Sequence, residues 1–456
     1  MARKRRNPTD LDALAQINAD AAGIDIGVDE IYVSVPKGRD PQTVRAFPTF
    51  TADLERIAQW LRQCQVTTVA MESTGVYWIP LYEILDAHNF EVCLVNARHL
   101  KNIPGRKTDV IDCQWLQQLH TYGLLRASFR PPEEICSLRA IVRQRDVLVH
   151  YRAAHIQHMQ KALHLMNIQL SRVLSDITGV TGMQIIRAIL AGERNPHTLA
   201  AFRAAGCARP EGDIVKALQG NYRREHLFAL RQAVELYDLY GQKIQQCDAE
   251  LESMYADLEP PDHPEATENR PPRPQGSKRR KNQAHFDLAT ALYRMTGVDL
   301  TRIDGINALT AQVVLSEIGL DMTKWPTDKH FASWLGLCPH NQITGGKVFR
   351  RATAKTKNRA TTALRVAAQA VWHSNSAIGA FYRRIRAKHG PGVAITATAH
   401  KLARTIYHML RYRKDYVDQG AHAYEAQHRD TAISNLRRRA ERLGFQLEPK
   451  HVPAVS

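Results

Sequence analysis

Asp25 in AAGIDIGVD, Glu72 in TTVAMESTG, and Asp109 with Asp112 in GRKTDVIDCQWL are the residues whose types and spacing point most directly to chemistry. Asp25 and Glu72 each close a short apolar run, residues 21–26 and 67–71, that reads as a buried strand. A carboxylate there is costly unless something offsets its lost hydration. Asp109 and Asp112 are spaced i, i+3 at the start of a helical apolar pattern (Val110, Ile111, Trp115, Leu116, Leu119), so both project from one face of one helix. Four oxygen donors meeting at strand ends and on a helix suit hard cations, magnesium or manganese, and two such ions clamp the attacking and leaving oxygens of a phosphodiester. For Asp25 alone the alternative is an aspartate that caps a turn. Arg106 and Lys107, just ahead of Asp109, would pair with the acids, touch a phosphate, or stand in solvent.

For the acids to converge, the surrounding elements must hold them at one end of a sheet. The pattern predicts a strand pair over 21–27 and 31–36, a third strand over 44–50 and a helix over 52–64. A strand over 67–71, a helix over 77–87, a strand over 91–95 and a helix over 109–122 follow. Three strands followed by alternating helix and strand is the order of an RNase H-like α/β fold. Beyond it the chain turns helical. A helical stretch runs from Glu133 to roughly Leu170, and a second long helix runs over 223–257, with apolar spacing that alternates three and four and then repeats at seven. The two would pair as an antiparallel coiled coil or by ordinary helical packing. Between them, 181–205 reads as smaller helices, with Gly179 and Gly182 breaking the pattern.

Residues 259–284 are rich in proline and charge and nearly free of apolar side chains, which predicts a flexible linker. A second folded region starts at His285. Its Ile303-Asp304-Gly305-Ile306 turn before a helix would either offer backbone amides to a phosphate or form an ordinary helical corner. Between Gly345 and Arg365 there are seven cations and no acid: Lys347, Arg350, Arg351, Lys355, Lys357, Arg359 and Arg365. Interleaved glycines and threonines favour a surface that tracks nucleic-acid phosphates over a merely solvated face. The expected domains are 18–128, a helical region 129–258, the linker 259–284, a mostly helical region 285–415 and a tail 416–456.

At 456 residues, two or three domains are expected. A net charge of +17 points to a polyanionic partner, most simply nucleic acid. Seven scattered cysteines with no Cys-x-x-Cys pair read as reduced thiols, neither a disulfide framework nor a zinc site. The basic start MARKRRNPTD has no apolar stretch after it, and no run of 18 apolar residues occurs, so a soluble cytoplasmic protein, nucleoid-associated and with no membrane partner, is expected. Histidines, including His340 and His400, receive no catalytic role.

The order GIDIG, MESTG, KTDxxD, a helical middle, an IDGI turn and a WLGLCP…TGGK block resembles the DEDD transposases of bacterial insertion sequences, insertion-sequence family one-ten, in its longer subgroup. The resemblance runs from about residue 20 to 415. It implies a RuvC-like N-terminal domain joined through a coiled coil to a C-terminal transposase domain. It implies magnesium-dependent recombination guided by a structured noncoding RNA that pairs with donor and target DNA, in a homodimer or homotetramer. The family's acidic tetrad falls on Asp25, Glu72, Asp109 and Asp112, and its nucleophilic serine falls on Thr344, whose extra methyl crowds the hydroxyl. Thr344 is then the nucleophile or a residue that only stabilises the turn into Gly345. Lys347, Arg350 and Arg351, nearest to it, are the candidates for stabilising charge on the phosphorane. The rival readings are a RuvC-like junction nuclease that uses water, and a nucleic-acid-binding protein whose acids are structural.

Overall fold

The computed structural model describes residues 15–73, 75–96, 109–258, 282–339, 341–345, 347–350, 353 and 358–448. The chain divides into two compact units, Met1–Arg130 and Pro131–Ser456.

The first unit is built on a five-stranded mixed sheet: β1 (Ala21–Ile26), β2 (Glu30–Ser34), β3 (Val44–Pro48), β4 (Thr68–Glu72) and β5 (Glu91–Val95). The helices are α1 (Thr51–Gln63), α2 (Trp78–Ala87) and α3 (Asp109–Thr121). Strand order is β3-β2-β1-β4-β5, antiparallel across the first three and parallel from β1 through β4 to β5, as an RNase H-like domain requires. Side chains alternate across a strand, so each strand divides between two layers. Ala22, Ile24, Val69 and Met71 join Leu54, Ile57, Leu61, Leu81 and Leu85 of α1 and α2 in one core. Each large side chain buried there contributes about 1.5–3 kcal/mol. The intervening residues, Gly23 and Asp25 on β1 and Ala70 and Glu72 on β4, therefore face the opposite layer, which is α3.

The second unit is mostly helical. Its frame is α4 (Glu133–Leu165) beside a later helix of 34 residues; between the two come α5 (Leu170–Val173), α6 (Val180–Ala191), α7 (Pro196–Ala200) and α8 (Glu211–Ala217). The long partner is α9 (Arg224–Asp257). Arg145 bonds Asp248, the Arg152 guanidinium lies 4.2 Å from the Tyr237 ring centre, and His155 stacks on Tyr240, so α4 and α9 run antiparallel. Where the two approach, Leu230, Val234, Tyr237, Ile244, Asp248, Leu251 and Tyr255 form the buried seam of α9, with the three-and-four spacing of a heptad. The short helices cap one end of this pair in a second core around Met159, Leu163, Ile186, Leu199 and Leu218. Gly182 does not break a helix, as the sequence pattern suggested. It sits inside α6, where a Cβ would stand 2.1 Å from the Ile177 carbonyl oxygen.

Next come α10 (Leu288–Thr296), α11 (Ala308–Ile318), α12 (Asp328–Trp334), β6 (Gln342–Thr344), β7 (Lys347–Arg350), α13 (Arg359–Ala370), α14 (Ala377–His389), α15 (Pro391–Tyr412) and α16 (Gly420–Arg442). Trp325, Phe331, Trp334 and Tyr407 pack ring against ring at the centre of this part. A bidentate ion pair, Arg143 Nε and Nη2 to the Glu317 carboxylate at 2.9 and 2.8 Å, ties α4 to α11. The expected tail beyond 415 carries α16, anchored by Tyr424 against Phe381. Of the expected linker, residues 259–281 lie outside the described residues.

Candidate acidic site and basic hairpin

The acidic site is positioned by one close contact. A Cβ on Gly23 would stand 2.2 Å from the Cys113 carbonyl oxygen and 2.2 Å from the Gln117 amide nitrogen, so α3 lies backbone against backbone on β1. At the far end of α3, His120 Nε2 lies 2.8 Å from Thr68 Oγ1 at the start of β4. The helix therefore runs opposite to β1 and β4, and its N-terminus, carrying Asp109 and Asp112, lies over the strand ends that carry Asp25 and Glu72.

Electrostatics reports the same neighbourhood. Burial pushes the Cys113 thiol up to about 12, and the carboxylates of Asp25 and, more weakly, Asp112 add to the shift. The thiol donates to the Val110 carbonyl at 3.2 Å and is thus turned into its own helix. Tyr32 pairs with Asp25 across β1 and β2. Its hydroxyl donates to Glu30 at 2.8 Å, and that bond, with a lesser push from Asp109, raises its pKa.

Four carboxylates without a competing imidazole or thiolate form the donor set that a hard cation takes, so by chemistry the residues fit magnesium or manganese. Among the described residues, however, no three His, Cys, Asp or Glu side chains gather closely enough to hold a metal. The fold brings the four acids to one end of one sheet layer. Gly23, Tyr32 and Cys113 were not singled out in the sequence. Period-two alternation across β1, which puts Gly23 on Asp25's face, was the available signal for the first.

Of the other candidate residues, Thr344, Lys347 and Arg350 lie on a hairpin that the sequence reading passed over. Thr344 ends β6 and faces Lys347 across a two-residue turn in which Gly345 has φ +56°, the left-handed conformation that favours glycine. Thr344 and Lys347 are both exposed. The Gly-Gly pair between QIT and KVF was the legible hairpin signal. An isolated bridge between Pro339 and Thr353 continues the pairing at its base.

Arg350 lies on β7. Arg359, the first residue of α13, is engaged with Asp146 of α4 at 3.1 Å, and Arg365 is half-buried on the same helix. Arg106, Lys107, His340, Arg351, Lys355 and Lys357 lie outside the described residues. The IDGI turn packs as a helical corner: Gly305 has φ +87°, and a Cβ there would stand 2.6 Å from the Ala367 carbonyl oxygen. Asn307 caps α11 by accepting from the Thr310 amide at 2.8 Å. No described helix is long and apolar enough to cross a membrane.

Residues 22–168 match the family model of the DEDD transposases of IS110 type, and residues 299–383 match that of the transposases of the IS116/IS110/IS902 family. No curated protein matches the chain. The first matched segment contains all four acids, and the second contains Thr344 and the whole basic run. The two models follow one another in the order in which the chain presents its sheet and its hairpin, and the chain belongs to the IS110 family of DEDD transposases, which act on DNA.

Proposed function

We propose that this transposase cuts and rejoins DNA strands through a covalent link to Thr344, with Asp25, Glu72, Asp109 and Asp112 as the cation-holding carboxylates. The observation that carries the reading is the seating of α3 on Gly23, which puts two i, i+3 acids over the strand ends bearing two more. Bound magnesium or manganese would supply Lewis-acid stabilisation of charge on the scissile phosphate.

The chain's own part is nucleophilic. The Thr344 hydroxyl loses its proton and forms an Oγ–P bond as the phosphodiester P–O bond breaks, and the leaving oxygen takes up a proton. A free hydroxyl of another strand then attacks the same phosphorus, and Oγ leaves and is protonated again. One phosphodiester is exchanged for another, so no external energy source is needed. Lys347, exposed opposite Thr344, is suited to offset charge on the phosphorane. Arg350, Arg351, Lys355, Lys357, Arg359 and Arg365 extend the phosphate-tracking run, with Arg359 held by Asp146 in the free protein. The reading includes a structured noncoding guide RNA and a homodimer or homotetramer, both on the strength of family membership. It also includes the domain division 18–128, 129–258, 259–284 and 285–415, with α4 and α9 as the coiled coil.

The test is to trap the protein–DNA adduct and map it by mass spectrometry. Thr344→Ser, which keeps the hydroxyl and drops a methyl, should recombine as well as the wild type or better, whereas Thr344→Val should bind DNA and transfer nothing. An adduct at another hydroxyl removes Thr344 from the role. Metal-dependent cleavage with no adduct would instead make the protein a water-using nuclease. Transcribing the DNA that flanks the gene and adding that RNA to the assay tests guidance: recombination that is indifferent to it would exclude a guide.

A further inference from the structure

Across the hairpin, Thr344 faces Lys347 and Ile343 faces Val348, but Gln342 faces Arg350. The ladder therefore skips Phe349. A strand that carries one extra residue against its partner is bulged, and such bulges re-aim side chains next to functional sites. The side chain released here is 81% exposed, more than any other large hydrophobic among the described residues. It lies two residues along β7 from Lys347, whose strand partner is Thr344.

The geometry points to Phe349 as a stacking platform for an unpaired DNA base beside the scissile phosphate. An aromatic ring this exposed on a hairpin presents a flat face on which a nucleobase can stack. The neighbourhood agrees. Lys347 and Arg350 flank Phe349 on β7, in a stretch from Gly345 to Arg365 that holds seven cations and no acid, so a partner that brings negative charge is favoured there. A DNA strand brings it in the backbone phosphates on either side of the base; a second protein surface would have to supply acids in register. DNA is the substrate of this family, and strand exchange leaves bases unpaired where strands part. The inference rests on the proposed role of Thr344 only for the words "beside the scissile phosphate".

The test uses the full chain and a DNA probe carrying one fluorescent aminopurine base, either unpaired between two duplex arms or paired within the same arms. The wild type should bind the unpaired probe more tightly and quench it. Phe349→Ala should lose the quench and weaken unpaired-probe binding by roughly 5- to 150-fold, the range expected for one base–aromatic stack. The slope of affinity against salt should not change, because no charge is removed. Lys347→Ala should do the reverse, flattening the salt slope while leaving the quench. Phe349→Trp should behave as the wild type, and Phe349→Leu as alanine. Wild-type behaviour by Phe349→Leu or Phe349→Ala would overturn the proposal, as would an equal loss on paired and unpaired probes. A change in sedimentation of Phe349→Ala with the quench intact would mark a contact between copies and overturn it as well. None of these readouts needs cleavage, so a failure here is separable from a failure to map an adduct to Thr344.

Discussion

Gly23 and Cys113 meet where no side chain fits, with 2.2 Å between the position of a Gly23 Cβ and the Cys113 carbonyl oxygen. The acids of the candidate site inherit their placement from this contact, because it fixes how far α3 stands above the sheet. Gly23→Ala should push α3 outward. The expected cost is that of overpacking, about 1–3 kcal/mol in urea unfolding, with recombination lost even under conditions where the variant is folded. Wild-type unfolding together with wild-type activity would show that α3 is not seated by this glycine.

Asp25→Asn, Glu72→Gln, Asp109→Asn and Asp112→Asn each remove a charged oxygen ligand while keeping the shape of the side chain. Each should abolish recombination at ordinary magnesium concentrations and leave the circular dichroism spectrum unchanged. Near-wild-type turnover in any two of the four would sink the metal-site reading, whatever the other two did.

The sheet, its order and the long helices were legible because apolar strands of five or six residues, and helices with a continuous apolar face, leave periodic marks. The acids were legible for a different reason: a carboxylate at the end of an apolar strand is conspicuous. What could not be read was distance. The approach of α3 to β1 depends on Gly23 lying under Cys113, and nothing local to either residue records the other. The β6–β7 hairpin was missed because its strands are only three and four residues long, too short for alternation to stand out among lysines and arginines. The role of Gly305 was ambiguous for the same reason as that of Gly23, since the carbonyl of Ala367 that it admits lies far along the chain.

Arg145 and Asp248 form a buried ion pair in the α4–α9 seam, with the Asp248 side chain 1% exposed and Arg145 Nε 2.5 Å from it. Asp248 also pairs with His285 Nδ1 at 2.6 Å, and Arg145 donates to the Asn282 carbonyl at 3.0 Å, so the two hold the chain where it re-enters beside the helices. Removing one partner strands the other in a dry interface. Asp248→Leu should cost about 3–5 kcal/mol in urea unfolding, whereas Arg145→Leu combined with Asp248→Leu should recover most of that loss. A double variant no more stable than the single one would mean that the pair contributes more than mutual neutralisation.

His120 should make stability depend on pH in a predictable direction. Its ring is buried at the α3–β4 contact, 2.8 Å from Thr68 Oγ1, and burial lowers its pKa below the ordinary histidine value despite an opposing pull from Glu91. Because the folded pKa lies below the unfolded one, protonation favours the unfolded chain. The stabilisation is therefore complete above about pH 6.5 and declines as the pH falls below that value. His120→Gln removes the titrating group and weakens the contact with Thr68. At pH 7.5 it should be less stable than the wild type by about 1–3 kcal/mol, and the gap should narrow steadily toward pH 5. His155 and His400 are also shifted down by burial, so the wild-type decline alone would not isolate this residue. The difference between the two unfolding curves does, since those groups are common to both proteins. A gap that stays constant from pH 7.5 to 5 would show that His120 holds α3 by packing alone, with its protonation left unchanged by folding.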